Sequence, residues 1–309
     1  MPATSIIGGD LKLIANEAII NVGEVLLPLR ACARTIETEK EGIKLGDTVQ
    51  VFVAGEIPEA AEYNASTNNY GTDNGGNHAW KAVNLDKKFK QTFTLSDDQL
   101  DRITSVADFA EFFKPYAQKV ALKVLQNAMQ LLTAQNFPNA HPVLGAAAFD
   151  KSDAGKVETA LAKLVGVGKE LNLILNMEYY DSLRDGLTNL PANPTNNEVL
   201  RQGTIPGIAG FKETLRTSII PDVPATAGTH LAGFATNGTG LVIANGVRPS
   251  LRDSNVDYSV ATDPVTGIAL AFSGFWRSET RTYTATVETL TGAAVASQKG
   301  LLRLTQTVT

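Results

Sequence analysis

The sequence predicts an α+β fold, and three features of its patterning predict it. One long run, Ser105–Thr133, repeats apolar residues at helical spacing. Several short β-branched runs stand before and after it. Between them, strand-like and helix-like patterns alternate, which places helices and sheet in one mixed architecture.

The elements follow in order. Leu11 to Arg34 is amphipathic, with apolar residues at Leu11, Ile14, Ala18 and Val22. Gly23 and Pro28 interrupt it, so a short helix followed by a looser arm is expected. Gly46-Asp47-Thr48 introduces Val49–Val53, read as a strand, and Phe89–Leu95 alternates as a second strand. The segment of about residues 60–80 is dense in Asn, Gly, Ser and Thr and cannot bury a core of its own. Its aromatic anchors, Tyr70 and Trp80, suit a loop that docks on something. Ser96 with Gln99, and Ser105 with Asp108, read as capping boxes. The second opens the Ser105–Thr133 helix, roughly 40 Å long at the standard rise per residue. Pro115 should kink it, and Asn136–Pro142 should end it. A stripe this long needs a sheet or neighbouring subunits to cover it.

Beyond residue 143, Ser152 or Asp153 can cap a helix over Gly155–Val165. Leu171–Asn176 reads as a buried strand and Met177–Arg184 as a helix. Residues 186–210 are loop-rich. Strand candidates follow at Phe211–Thr217, Gly240–Ala244, Ala269–Phe275 and Thr280–Leu290, and Gly300–Thr305 resembles a last strand. No internal repeat occurs.

Composition narrows the function. The chain is 43% hydrophobic and 19% charged, an ordinary globular balance. No apolar run reaches the length of a membrane span, and the N-terminus lacks a signal-peptide pattern. The single cysteine, Cys32, cannot form an internal disulfide, and folding in a reducing cytoplasm is expected. In that setting the sequons at Asn64 and Asn237 are loop composition only. A net charge of −5 argues against strong DNA binding, despite a weak basic cluster at Lys81, Lys87, Lys88 and Lys90.

No catalytic constellation emerges. His78, His141 and His230 sit in loops without a paired carboxylate or cysteine, where a histidine is an ordinary surface residue. Cys32 lies in an apolar, helical setting and reads as a small core residue. Gly166-Val-Gly168-Lys169 lacks the first glycine and the hydroxyl residue of a phosphate loop. Gly238-Thr-Gly240 precedes a strand where a dinucleotide fingerprint needs a helix. Asp150–Gly155 echoes a calcium loop, but Leu161 stands where the bidentate glutamate belongs. Asp97, Asp98 and Asp101 at a helix start compensate its dipole.

The order of elements resembles the major capsid proteins of tailed double-stranded DNA phages, with the Hong Kong 97 fold, particularly the short-tailed-phage branch. Gly46–Val49 and Thr92–Leu95 are similar to the two legs of that family's E-loop. Asp97–Leu100, Val106–Phe109 and Pro115 resemble the entry to its spine helix. Leu173–Asn176 and Tyr179–Leu183 resemble an A-domain strand and helix, and Gly203–Phe211 the turn and strand that follow. Tyr283–Val287, Gly292–Val295 and Leu301–Leu304 resemble closing strands of a P-domain. The resemblance implies an N-terminal arm over 1–45, an E-loop over 46–95 and a spine-helix part of the P-domain over 96–140. It further implies an A-domain over 141–262 and closing P-domain strands over 263–309.

On this resemblance the chain is no enzyme and needs no cofactor. It implies self-assembly as hexamers and pentamers into an icosahedral virion shell, built in the host cytoplasm around double-stranded DNA that it touches weakly and without sequence preference. Scaffolding and portal proteins are the implied partners, with a decoration protein as a further candidate and no membrane. Inter-subunit contacts are expected at Tyr63, Tyr70, Trp80 and Lys81 in the E-loop, and at Phe109, Phe113 and Tyr116 on the spine helix. The chain shows no long N-terminal extension, so a fused scaffolding domain or maturation-protease site is not expected. Nothing selects a Lys–Asn pair for crosslinking. Two alternatives remain: an encapsulin-like nanocompartment shell, and a soluble hydrolase with an unrecognised site.

Overall fold

Two helices, α1 (Ala3–Ile19) and α2 (Val22–Cys32), open the chain and lead directly into strand β1 (Ala33–Glu37). The computed structural model describes residues 3–20, 22–37, 44–53, 79–103, 105–166, 170–188, 205, 207–247 and 256–308. Strands β2 (Thr48–Val53) and β3 (Ala79–Asn84) form an antiparallel hairpin in which Val49 faces Val83 and Phe52 faces Trp80. The residues expected to form the polar loop, 54–78, lie outside the described residues.

Strand β4 (Lys87–Ser96) runs into the one-turn helix α3 (Asp97–Leu100). The predicted capping box is present there: Ser96 Oγ accepts from Gln99 N at 3.4 Å, and Gln99 Oε1 accepts from Ser96 N at 3.0 Å. Helix α4 (Val106–Met129) starts where Ser105 Oγ accepts from Asp108 N at 3.1 Å. It ends short of Thr133 because Leu131 N and Leu132 N bond three residues back, to Ala128 O and Met129 O, tightening the last turn. Pro115 sits inside α4 on its exposed side, where water can serve the carbonyl of Glu111 that loses its partner.

Among the described residues there follow β5 (Ala140–Pro142), α5 (Lys151–Val165), β6 (Asn172–Leu175), α6 (Met177–Thr188), β7 (Glu213–Arg216), β8 (Gly228–Thr236), β9 (Leu241–Gly246), β10 (Asp257–Thr262), β11 (Ala269–Arg277), β12 (Thr282–Val295) and β13 (Leu301–Val308). The cap of α5 is Asp150, whose Oδ1 accepts from Asp153 N at 3.0 Å, not Ser152 or Asp153. Asp150 is the residue left extended just before the helix, so its carboxylate reaches the free amide.

Six strands form one sheet in the order β1-β9-β12-β11-β10, with β4 on the far side of β12. Strand β12 pairs with β11 over 282–288 and then with β9 over 290–295, so one of its edges serves two neighbours. A second sheet has the order β5-β13-β8-β6-β7. The sheets cut across the segment boundaries expected at 140 and 262. Backbone pairing assigns β9 and β10 to the first sheet and β5 and β13 to the second, regardless of chain order.

Among the described residues, three apolar clusters hold these layers. The largest surrounds α4, which is covered by α1, α2 and one face of the six-stranded sheet through Phe93, Phe272, Tyr283 and Val287. The second packs α5 and α6 on the five-stranded sheet through Val157, Leu161, Tyr179 and Leu183. A small third cluster seats the β2–β3 hairpin on the opposite face of the six-stranded sheet, with Val51 and Val83 against Val242, Ala244 and Leu290. Strand periodicity makes this division possible: Ile174 faces the first cluster, while Leu173 and Leu175 face the second.

The looser arm expected after the first helix is instead the packed helix α2. Val22, Leu26 and Leu29 are fully buried there, each contributing about 1.5–3 kcal/mol. Their sum exceeds the cost of about 3 kcal/mol for Pro28 inside the helix.

Candidate assembly surfaces

The seven residues expected to meet other subunits fall into three groups. Tyr63 and Tyr70 lie outside the described residues. Trp80 and Lys81 are exposed on β3. Trp80 is 67% accessible and meets Phe52 edge to face, with ring centroids 5.5 Å apart. This cross-strand pair shares the outward face of the hairpin with Gln50, while Val51 and Val83 point to the sheet. Both rings are exposed, Phe52 at 41%.

Phe109 and Phe113 are the correction. They are 1% and 0% accessible, so neither has surface to offer a neighbour. Phe109 packs on Phe113 at 5.5 Å and on Tyr283 at 5.7 Å; Phe113 packs on Phe93 at 4.9 Å and on Phe272 at 5.8 Å. Tyr116 is half-buried and stacks on Phe93 at 4.4 Å. The structure therefore gathers these three helix aromatics into the chain's own core. The sheet covers the stripe that sequence alone left to a sheet or a neighbour.

Sequence reasoning missed other exposed apolar side chains, notably Phe52, Trp276, Leu13 and Ile20. For Phe52 the signal was available, since alternation in Thr48–Val53 sets it opposite Val51. For Leu13 and Ile20 it was the seven-residue spacing, which places both on one face of the first helical run.

The thiol of Cys32 is buried, and burial pushes its pKa up to about 12. It is a packed side chain and not a nucleophile at neutral pH. His230 Nε2 lies 3.0 Å from the carbonyl oxygen of Thr226. Burial lowers the pKa of His141, against a smaller upward pull from Asp153. His78 lies outside the described residues. Among the described residues, no group of three or more His, Cys, Asp or Glu side chains converges to hold a metal ion, and no helix is long and apolar enough to cross a membrane.

Comparison with protein families finds no match, and comparison with curated protein sequences finds none. Comparison with solved structures does. The capsid of cyanophage P-SCSP1u superposes with a TM-score of 0.54 at 13% identity, over 91% of this chain and 87% of that one. The capsid of a native GTA particle gives 0.53 at 16% identity, over 90% and 89%. A virus-like particle from Pyrococcus furiosus gives 0.52 at 11% identity, over 94% and 97%. Likeness over almost the whole of both chains, at identities this low, is a likeness of fold: the chain has the α+β fold of phage capsid subunits, the Hong Kong 97 fold that its sequence resembles.

Proposed function

We propose that the chain is a major capsid protein that self-assembles as hexamers and pentamers into the icosahedral shell enclosing viral double-stranded DNA. The observation that carries this reading is the near-complete superposition on capsid subunits. The exposed ring of Trp80 on the hairpin supports it, because an exposed aromatic side chain suits a contact between chains. In this reading residues 46–95 form an E-loop lying across a neighbour, with Trp80 and Lys81 at its described end and Tyr63 and Tyr70 further along. Helix α4 with the six-stranded sheet forms a P-domain, and α5 and α6 with the five-stranded sheet form an A-domain. The role is structural, without catalysis.

Many weak repeated contacts suffice, because a closed symmetric shell multiplies small free energies. The net charge of −5 suits confinement of DNA through weak, sequence-independent contact. Scaffolding and portal proteins are the proposed partners, a decoration protein is a further one, and assembly takes place in the host cytoplasm before the chain becomes part of the virion.

An encapsulin-like compartment is the second and weaker reading; it shares the fold, as the likeness to a virus-like particle from Pyrococcus furiosus allows. The contents of particles from the native source separate the two. Nuclease-protected double-stranded DNA is the outcome expected for a capsid; particles filled with a cargo protein and free of DNA would overturn that reading.

A further inference from the structure

Helices α5 and α6 lie on the same face of the five-stranded sheet, and each leaves one charged stripe uncovered. On α5 the exposed residues Ser152, Lys156, Thr159 and Lys163 follow one another at helical spacing. They line an open groove of about 870 Å³ between α5 and the edge strand β5, together with His141 and Leu302. No acidic side chain lines this groove among the described residues. Of the acidic residues of α5, Asp153 pairs with Lys156 at 2.7 Å and partly offsets it, while the side chain of Glu158 packs against Gly210 on the opposite flank. With His141 held toward its neutral form by burial, the positive charge of the groove belongs to Lys163 and to Lys156, the latter shared with Asp153.

On α6, Glu178, Asp181 and Asp185 form the matching stripe. Arg184 bridges Asp181 at 3.2 Å and Asp185 at 3.5 Å, leaving three carboxylates against one guanidinium. Asp222 adds a fourth carboxylate at the start of the helix, where its Oδ1 accepts from Glu178 N at 3.3 Å. The spacings agree as well as the signs. Lys156 to Lys163 and Glu178 to Asp185 are each seven residues, about 10.5 Å along a helix. The stripes sit on different flanks. The basic groove lies between α5 and β5, whereas α6 packs on the turn at 146–148 and over β6 and β7.

We infer that the α5–β5 groove receives helix α6 of a second copy of this chain, head to tail, so that the contact repeats around a ring. The inference rests on the shell reading and names one surface by which its capsomers close. A patch that meets a different patch on the next subunit is what a ring requires, whereas a two-fold contact would need one patch complementary to itself. Both helices being preformed, the contact orders few side chains on binding.

Charge reversal of the full-length protein tests this. K156E/K163E and D181K/D185K should each lower the yield of sedimenting particles roughly tenfold, while far-ultraviolet circular dichroism and the melting temperature stay near wild type. The chain carrying all four substitutions should recover at least about half the wild-type yield. A one-to-one mixture of the two pair variants can alternate around a ring of six but not of five, so it should give sheets or tubes without closed shells. Wild-type yield from either folded pair variant would overturn the inference, as would four substitutions together doing no better than two. If K156E/K163E assembles normally but loses retardation of double-stranded DNA in a gel, the groove belongs to a polyanion and the inference falls. Absence of particles from the wild-type chain, expressed alone and together with the proteins encoded beside it, would overturn the shell reading and this inference with it.

Discussion

Asn245 Nδ2 donates to Thr289 Oγ1 at 2.7 Å, at the point where β12 changes partner. Glu288 still pairs with Ala271 of β11, while Leu290 already pairs with Gly246 of β9. The backbone groups at that switch would otherwise be orphaned inside the sheet. Asn245 Oδ1 accepts from Ala269 N at 2.7 Å, and Thr289 Oγ1 donates to Ala269 O at 2.9 Å, so two buried side chains complete the ladder. Asn245→Ala should therefore destabilise the subunit by about 3 kcal/mol and Thr289→Val by about 1–2 kcal/mol. The double substitution should cost less than the sum, because the two share partners. Urea unfolding measures this, and additive losses would contradict the shared network.

Gly292 of β12 faces the backbone of β3. A Cβ there would stand 2.0 Å from Asn84 O, and a carbonyl oxygen cannot swing aside as a side chain can. Gly292→Ala should lever the hairpin off the sheet, exposing Val51 and Val83, at about 1–3 kcal/mol. Faster amide exchange in β2 and β3, with α5 and α6 unchanged, is the expected signature.

Tyr179 ties three segments together. Its hydroxyl donates to Leu144 O at 2.6 Å and lies 2.5 Å from Gln306 Oε1. Burial raises its pKa, and the carboxylate of Glu178 raises it further. Burial also raises that of Tyr283, with Asp257 adding to it. The neutral forms are favoured in the folded state. Their contribution is therefore complete below the unfolded tyrosine pKa of about 10 and is lost as pH rises above it. Tyr179→Phe should cost about 1–2 kcal/mol at pH 7 and flatten the loss of stability between roughly pH 10 and 11. Guanidinium melts at both values read the difference, and an unchanged alkaline slope would count against this role.

Trp80→Ala should separate folding from assembly. Its ring is exposed in the subunit, so the melting temperature of the unassembled protein should shift little, within about 0.5 kcal/mol of stability. Particle yield should fall several-fold if this face contacts another chain. Equal losses in both measurements would place Trp80 in the subunit fold instead.

Much of this architecture is legible in the sequence where local rules and tertiary packing agree. Helix α4 was readable from its cap at Ser105 and its aromatic spacing, and β2, β4 and β12 from alternation. The readings failed where packing overrode local propensity. Pro28 signals an interruption, yet the burial of Leu26 and Leu29 holds α2 together. Strand β8 escaped notice because its pattern is broken by Gly233, where a Cβ would stand 2.5 Å from Ile174 O. The close approach of two strands, invisible in one sequence, is what requires that glycine. The aromatics of α4 were assigned to neighbours for a related reason. Periodicity shows that a helix face is apolar but not whether its cover comes from the same chain. The hairpin aromatics are half legible: Trp80 stands out and alternation sets Phe52 opposite Val51, but their pairing requires knowing that β3 exists.

Electron cryomicroscopy of the purified full-length protein, expressed alone and together with the proteins encoded beside it, tests the central claim most directly. The account predicts closed icosahedral shells whose subunits form hexamers and pentamers, with α4 and the six-stranded sheet resolved in each subunit. A uniform population of monomers under both conditions, with no shells, rings or sheets, would contradict it.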